Sequence, residues 1–104
     1  MAIELADDVN KLTKDFPKDE LYSLTTQLRR ATDSISLNIA EGATNNTRPE
    51  FKRFLTMSSR SCAEVISCLY HAKNRKYIQE IQFRNIYDKT EIIYKMINKL
   101  KNSI

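Results

Sequence analysis

The sequence predicts an all-α protein, an antiparallel up-down-up-down four-helix bundle, and two observations lead to this fold class. The chain has one glycine and two prolines, whereas a β-sandwich or barrel needs a turn every roughly 8 to 12 residues. Apolar residues recur at spacings of three and four, the period of an amphipathic helix. The 104 residues suffice for one hydrophobic core and not for two. We therefore expect a single domain over residues 1–104.

The first helix is predicted over about residues 2–15. Its apolar stripe consists of Leu5, Val9, Leu12 and Phe16. Pro17 follows, and its fixed φ suits the first turn of a second helix. Asp19 and Glu20 come next, where negative charge complements the positive end of a helix dipole. We therefore expect the second helix to begin at about residue 18.

The second helix is predicted over about residues 18–41. Its apolar seam consists of Leu21, Leu24, Leu28, Ala31 and Ile35, and the same rhythm continues to Asn38. Gly42 follows, and glycine commonly closes a helix in the left-handed conformation. We therefore expect the helix to stop at Gly42, before a polar loop over residues 43–47.

The third helix is predicted over about residues 48–74. Thr47 and Glu50 have the spacing of a capping box, and Pro49 lies in the first turn. Its predicted inner face has apolar ends and a middle of small residues, and it consists of Phe51, Phe54, Leu55, Ser58, Ser61, Cys62, Val65, Cys68, Leu69 and Ala72. Side chains this small let another helix approach closely.

The fourth helix is predicted over about residues 79–102, after a turn at residues 74–78. Its stripe consists of Phe83, Ile86, Thr90, Ile93, Ile97 and Leu100. Connections as short as these make consecutive helices antiparallel neighbours, which completes the predicted bundle.

The charge balance permits contact with phosphate but does not require it. Seventeen Lys and Arg residues against thirteen Asp and Glu residues give a net charge of +4, a moderate excess. No apolar run approaches the ~18 residues of a membrane span, and the first residues lack the basic and apolar regions of a signal peptide. We expect a cytoplasmic protein that does not enter a membrane.

Five apolar residues fall on the flanks of the predicted stripes. They are Leu37, Ile66, Tyr70, Ile92 and Met96. Scattered apolar residues are normal on a protein surface. The alternative is that other copies of the chain cover them in a closed assembly, and we expect such a homo-oligomer.

Polar residues near the second-helix seam are candidates for a buried network across helices or subunits. The predicted members are Gln27, Arg30, Asn38, Glu41 and Glu64. Such a network would specify one alignment, because each group would lack a partner in any other. Glu41 opposes the helix dipole, so we expect a compensating arginine. In the simpler alternative, Arg29 or Arg30 forms an ordinary surface pair with Asp33.

A band of cations is the candidate nucleic-acid-binding surface. Its predicted members are Arg29, Arg30, Arg48, Lys52, Arg53 and Arg60. Attraction of phosphate to such a band depends on salt and not on base sequence. The alternative is a solvated helical face that binds nothing.

Catalytic and metal sites are not expected. Cys68 and His71 share a helical face, with Cys62 about two turns earlier, which offers fewer ligands than zinc requires. The chain has one histidine, no glycine-rich phosphate loop and no recognisable nucleophile with its base. We expect no enzyme activity, no cofactor and no small-molecule substrate.

Several segments together resemble a known family. They are Phe-Pro at residues 16–17, Gln-Leu-Arg-Arg-Ala at 27–31, Ser34 with Asn-Ile-Ala-Glu-Gly at 38–42, Glu-Phe at 50–51, and Ser61 with Glu64. In these residues the chain is similar to the family called four helix bundle protein, or 23S rRNA intervening sequence protein. The resemblance spans nearly the whole chain. Members are encoded within insertions of bacterial large-subunit ribosomal RNA genes or stand alone in genomes.

The resemblance implies an antiparallel four-helix bundle that forms a homopentameric ring. In a related branch that serves diversity-generating retroelements, a basic pentamer binds the reverse transcriptase and nucleic acid. The polar loop at residues 43–47 departs from the more basic loop of many members. We therefore expect a non-enzymatic oligomer, a pentamer by kinship, whose basic surface binds ribosomal RNA, another nucleic acid or a reverse-transcriptase-like protein. The alternative is a purely structural or protein-interaction module.

Overall fold

The structure is a computed structural model that describes residues 1–44 and 47–104. Over these residues the chain forms four α-helices, one short 3-10 helix and no strand. The helices are α1 (Ala2–Thr13), α2 (Leu24–Ala43), α3 (Arg48–Asn74) and α4 (Glu80–Ser103). The predicted all-α fold is confirmed.

The four helices form an antiparallel up-down-up-down bundle. Each helix packs against the next in sequence, α1 also packs against α4, and the α2–α3 contact is the most extensive. Antiparallel packing of α2 and α3 is visible where the Ser58 hydroxyl donates to the Ile35 carbonyl at 2.9 Å and Ser61 donates to Ser34 at 2.9 Å. The bundle measures 43 × 24 × 18 Å.

One hydrophobic core runs along the bundle axis, and every helix contributes a stripe to it. Its largest fully buried apolar side chains are Leu5 and Val9 in α1, Leu28 and Ile35 in α2, Leu55, Val65 and Leu69 in α3, and Phe83 in α4. Each buried side chain of this size contributes about 1.5–3 kcal/mol relative to an exposed one. The predicted stripes of α1, α3 and α4 therefore line the core, although Leu12, Phe51 and Phe54 are half-buried and Leu100 is exposed.

The start of the second helix differs from the prediction. Lys18–Glu20 forms a 3-10 helix behind Pro17, and α2 begins at Leu24 instead of residue 18. The cause is tertiary: the Glu20 carboxylate accepts hydrogen bonds from Tyr77 and Arg75, at 2.7 Å each, on the turn between α3 and α4. This segment therefore crosses the bundle end, and Leu21, predicted in the seam, is exposed.

The end of the second helix also differs from the prediction. Gly42 does not adopt the left-handed conformation, and α2 continues through it to Ala43. Gly42 is buried, and a Cβ there would lie 2.7 Å from the Phe54 Cβ. Glycine is therefore needed for the approach of α3 and not for a helix cap.

The third helix begins as predicted. The Thr47 hydroxyl oxygen accepts a hydrogen bond from the Glu50 backbone N–H at 3.3 Å, which caps α3. Asn45 and Asn46, in the middle of the predicted loop over residues 43–47, lie outside the described residues.

The turn between α3 and α4 is a Schellman motif. The Tyr77 N–H donates to the Ala72 carbonyl at 2.9 Å, and the Lys76 N–H donates to the Lys73 carbonyl at 3.0 Å. Lys76 adopts a left-handed φ of 64°, the position that such motifs usually give to glycine. Tyr77 then packs on Phe16, with 5.4 Å between ring centroids, so the turn closes the end of the core.

None of the helices within residues 1–44 and 47–104 is both long enough and apolar enough to span a membrane.

Candidate nucleic-acid interface and assembly surfaces

The predicted polar-network residues lie along one edge of the α2–α3 contact. We call this the α2–α3 strip, and it consists of Gln27, Arg30, Ser34, Leu37, Asn38 and Glu41 of α2 with Glu64 of α3. Helical spacings of three and four put the α2 members on the flank that faces α3. The antiparallel register set by Ser34 and Ser61 brings Glu64 level with Arg30.

Within one chain these side chains do not form a buried network. Gln27, Arg30, Glu41 and Glu64 are exposed, and Asn38 is half-buried. The Asn38 side-chain amide donates to the Ser34 carbonyl at 2.8 Å and to the Ser34 hydroxyl at 2.9 Å. Contacts of the strip between copies of the chain, and an arginine partner for Glu41, stay predictions.

The two adjacent arginines of α2 lie ~100° apart around the helix axis, and both line one shallow recess on the outer side of α2. The Arg29 Nε donates to the Thr13 hydroxyl at 2.8 Å, so Arg29 also reaches α1. Asp33 lines the same recess, but neither arginine forms an ion pair with it among the described residues. The membership of Arg29 and Arg30 in a nucleic-acid-binding surface stays a prediction.

The remaining predicted cations lie on the first half of α3. We call Arg48, Lys52, Arg53 and Arg60 the α3 basic surface; all four are exposed. Arg53 and Arg60 are seven residues apart, almost two helical turns, and share the outer face. Arg53 pairs with Glu50 at 2.9 Å and lies over the Phe54 ring, 4.9 Å from its centroid.

Three members of the α3 basic surface form no ion pair with any residue that the structure describes. They are Arg48, Lys52 and Arg60. From residue 48 to residue 63, α3 carries four cationic residues and one carboxylate, Glu50. This half of the helix is therefore a net positive surface that is open to an external anion.

The sequence reasoning missed cations at the end of α4. Lys99 and Lys101 lie level with the first half of α3, because the Ser59 hydroxyl donates to the Asn98 side-chain oxygen at 3.0 Å and so sets the register of the two helices. Neither lysine forms an ion pair among the described residues. They are more than 35 residues from the α3 cations in sequence, so only the helix register could have indicated this proximity.

A second surface follows the α3–α4 contact, and we call it the aromatic strip. It consists of Tyr70, Tyr87 and Tyr94, with the fully buried Phe83 ring packed beneath Tyr70 and Tyr87. Phe83 lies 5.0 Å from Tyr70 and 5.5 Å from Tyr87 between ring centroids. Cations border these rings, but each is neutralised: Lys73 pairs with Glu80 at 2.6 Å, and Arg84 lies within 4.0 Å of Glu80 and of Asp88. The aromatic strip is thus close to neutral.

The chain matches the sequence model of a known protein family. The family model of the 23S rRNA-intervening sequence proteins matches residues 1–99, nearly all of the 104 residues. The chain belongs to this family. The resemblance read from the residues of the sequence is confirmed.

A solved structure shows the same fold as this member of the 23S rRNA-intervening sequence proteins. It is described as a protein with unknown function from the S23 ribosomal protein family, from Bacteroides thetaiotaomicron VPI-5482. The two chains superpose with a TM-score of 0.89 at 22% identity, over 96% of this chain and 94% of the other. Comparison with curated protein sequences gave no significant match.

Two segments that carry the family resemblance have clear structural roles. Residues 38–42 end α2, where Asn38 bonds to Ser34 and Gly42 admits the Phe51 and Phe54 side chains. Residues 16–17 turn the chain into the 3-10 helix. In this family member, one segment therefore serves the packing of α2 against α3, and the other reverses the chain.

The cysteines and the histidine do not assemble a metal site. Within the described parts of the chain, no three His, Cys, Asp or Glu residues lie close enough to hold a metal ion. Cys62 and Cys68 are both free and buried. Burial raises the pKa of the Cys62 thiol to about 11, and burial followed by the charge of Glu64 raises the pKa of Cys68. Both thiols are therefore protonated and unreactive near neutral pH.

Proposed function

We propose that the protein is a non-enzymatic, self-associating four-helix bundle of the cytoplasm that binds RNA or another nucleic acid through the α3 basic surface. The observation that supports this is the lack of internal ion-pair partners for Arg48, Lys52 and Arg60 among the described residues. All three side chains are exposed. Phosphates can therefore approach them without breaking an existing salt bridge.

The expected recognition is electrostatic. Cations on a helical surface contact phosphate oxygens, release counterions and read no base sequence. Lys99 and Lys101 would extend the positive surface at the end of the bundle. The resemblance also implies a reverse-transcriptase-like partner that itself carries nucleic acid. The phosphates of that nucleic acid would contact the same surface.

Self-association is supported by exposed apolar side chains on separate sides of the bundle. Leu37 on the α2–α3 strip is 67% exposed, Tyr70 on the aromatic strip is 53% exposed and Met96 on α4 is 55% exposed. Because these sites differ, one copy would present one patch to another patch of the next copy, and such head-to-tail contacts close into rings. Five copies of 12.1 kDa form a particle of about 60 kDa, the pentamer that the resemblance implies.

The test of nucleic-acid binding uses two variants of equal net charge. Lys52→Glu with Arg60→Glu reverses two members of the α3 basic surface. Lys11→Glu with Lys76→Glu reverses two exposed lysines elsewhere that also lack ion pairs among the described residues. Gel-shift assays with a ribosomal RNA fragment should show binding that falls steeply between about 50 and 200 mM salt.

The α3 variant should lose retention of RNA, while the control pair should keep most of it. Light scattering on both variants should give the same particle mass as the unmodified protein. Equal loss in both variants would show general charge attraction and contradict the α3 surface. A mass of 12.1 kDa at high protein concentration would remove the self-association.

A second function, a protein-interaction module, is favoured by the aromatic strip. Tyrosines are enriched in protein interfaces, and the cations beside these rings are already paired with carboxylates. Such a surface suits a protein partner better than phosphate. If the unmodified protein shows no RNA binding at about 50 mM salt, this second function is the better account.

A further inference from the structure

A recess between the end of α1 and the start of α2 has the chemistry of an anion site. Its volume is about 260 Å³. The residues that matter in its lining are Lys14, Lys18, Arg29, Thr25, Phe16 and Leu21. It lies on the α1 side of α2, away from the α3 basic surface.

Three cations meet at this recess. Lys14 follows α1, Lys18 begins the 3-10 helix and Arg29 extends from α2. Among the described residues, none of the three forms an ion pair. The bond from the Arg29 Nε to the Thr13 hydroxyl fixes the guanidinium at 2.8 Å and leaves its terminal N–H groups as donors.

The carboxylates nearest in sequence face elsewhere. Asp15 lines the cleft between α1 and α4. The charge of Asp19 acts on Tyr77, whose pKa is raised chiefly by its hydrogen bond to Glu20. Glu20 itself is occupied by Tyr77 and Arg75. Asp33, one turn after Arg29, lines the neighbouring recess on the outer side of α2. The described residues that line the Thr25 recess therefore include three cations and no carboxylate.

Thr25 offers a hydroxyl group to the recess. The residue is 3% exposed and lines the recess, and its hydroxyl makes no hydrogen bond to any residue in the described ranges. Since no fully buried side-chain oxygen or nitrogen of the described residues lacks a partner, the Thr25 oxygen is open to the space in the recess. A ligand oxygen there would accept a hydrogen bond from it.

We propose that this recess binds a terminal phosphate monoester, as carried by a mononucleotide or by the 5′ end of a nucleic acid strand. A monoester has about two negative charges at neutral pH and three strong acceptor oxygens, which suit three cations and one hydroxyl donor. The volume equals about nine water molecules of ~30 Å³ each. That space admits the phosphate with part of the attached sugar against Phe16 and Leu21.

The test measures binding of AMP, inorganic phosphate and adenosine by calorimetry and by amide chemical shifts. AMP and phosphate should bind and should shift the Thr25 amide, and adenosine should not. Lys14→Gln and Lys18→Gln should each weaken AMP binding by about fivefold, the upper range for an exposed charge pair. Lys11 lines the cleft between α1 and α4 and not the recess. The control variant Lys11→Gln should therefore leave AMP affinity unchanged.

The Thr25→Val variant distinguishes a role of the hydroxyl in binding phosphate from a role in stabilising the fold. Removing a hydroxyl that bonds to no residue in the described ranges should leave the thermal midpoint nearly unchanged. The same change should weaken AMP binding, because the donor to phosphate is gone. Unchanged AMP affinity in this variant and in both lysine variants would overturn the site.

Two further binding measurements distinguish a nucleic acid strand end from a free nucleotide as the source of the phosphate. A 5′-phosphorylated oligonucleotide that binds more tightly than its 5′-hydroxyl counterpart, and more tightly than AMP, assigns a strand end. Tighter binding of AMP assigns a free nucleotide, and either result supports the site.

The Lys52→Glu/Arg60→Glu variant should keep its AMP affinity, so the site does not depend on the proposed α3 surface. Absence of any shift at Thr25 with AMP or phosphate at millimolar concentration would overturn the proposal.

Discussion

Gly42 of α2 lies directly against Phe54 of α3, so that a Cβ at position 42 would come within 2.7 Å of the Phe54 Cβ and 3.0 Å of the Phe51 Cδ1. The Phe54 Cβ is tied to the backbone and cannot rotate away. This contact, together with the Ser58 bond to the Ile35 carbonyl at 2.9 Å, sets the distance between the two helices. The most extensive helix pair of the bundle thus depends on small residues.

Gly42→Ala should destabilise the protein by about 0.5–2 kcal/mol. Alanine gains up to ~1 kcal/mol of helix propensity over glycine, but crowding a packed interior costs about 1–3 kcal/mol. Denaturant unfolding followed by circular dichroism measures the difference. Ala40→Gly, at an exposed position of the same helix, is the control and should cost about 1 kcal/mol. A more stable Gly42→Ala variant would contradict the close contact.

Lys76→Gly should stabilise the protein by about 0.5–1 kcal/mol. Lys76 has a φ of 64°, which costs a non-glycine residue ~1–2 kcal/mol, partly offset by the larger chain entropy that glycine loses on folding. The thermal midpoint should rise by several degrees. Lys76→Ala separates charge from backbone conformation, because it removes the charge and keeps the Cβ. A rise of equal size in Lys76→Ala would show that charge, and not φ, is responsible.

Stability should fall in acid through Glu20. Its hydrogen bond from Ser23, then that from Tyr77, and the charge of Arg75 lower the pKa of Glu20 from 4.5 to about 2. A carboxylate with a lowered folded-state pKa stabilises the native state above its unfolded pKa. The contribution of Glu20 is therefore complete above pH 4.5 and declines until it is lost near pH 2.

Glu20→Gln tests this pH dependence. Urea unfolding should show that the variant is less stable than the unmodified protein at pH 7, and that the difference shrinks towards pH 2. Asp19→Asn is the matched control, since Asp19 forms no ion pair among the described residues. A constant difference across the pH range would show that the Glu20 carboxylate does not act through its charge.

Cys62 should react very slowly with a thiol reagent in the native protein. Burial raises its pKa from 9.0 to about 11, so its thiolate fraction at pH 8 is lower by roughly 100-fold, before any steric hindrance. Both cysteines should react at once in denaturant. An added cysteine at the exposed position of Ala63→Cys, on the same helix, should react at the ordinary rate. Fast reaction of native Cys62 would indicate that α3 opens locally.

The fold was predictable because the apolar period is long and regular. Each stripe of α1, α3 and α4 extends over three or more turns, and only a buried helical face explains such spacing. The two ends of α2 were predicted wrongly because tertiary contacts override the local helix signals. Pro17 and Gly42 are ordinary helix signals, but contacts with the α3–α4 turn and with Phe54 decide what they do.

The candidate sites were predictable only in part. The cations of α3 lie within about three and a half helical turns, so the sequence alone places them together. Arg29 contacts Thr13 of α1, and Lys14 and Lys18 meet Arg29 only because the chain reverses at Pro17. The distance between residues of different helices depends on the path of the chain in space. The spacing of residues along one helix does not reveal that path.

The sequence by itself determined that this protein is an all-helical bundle, because its apolar period and its shortage of glycine and proline exclude other folds. It also determined the family and the bounds of α3 and α4. Only the tertiary structure decided the start of α2, the role of Gly42 and the recess around Thr25. Those features arise from contacts between distant segments, whose free energy exceeds the weak local preferences of single residues.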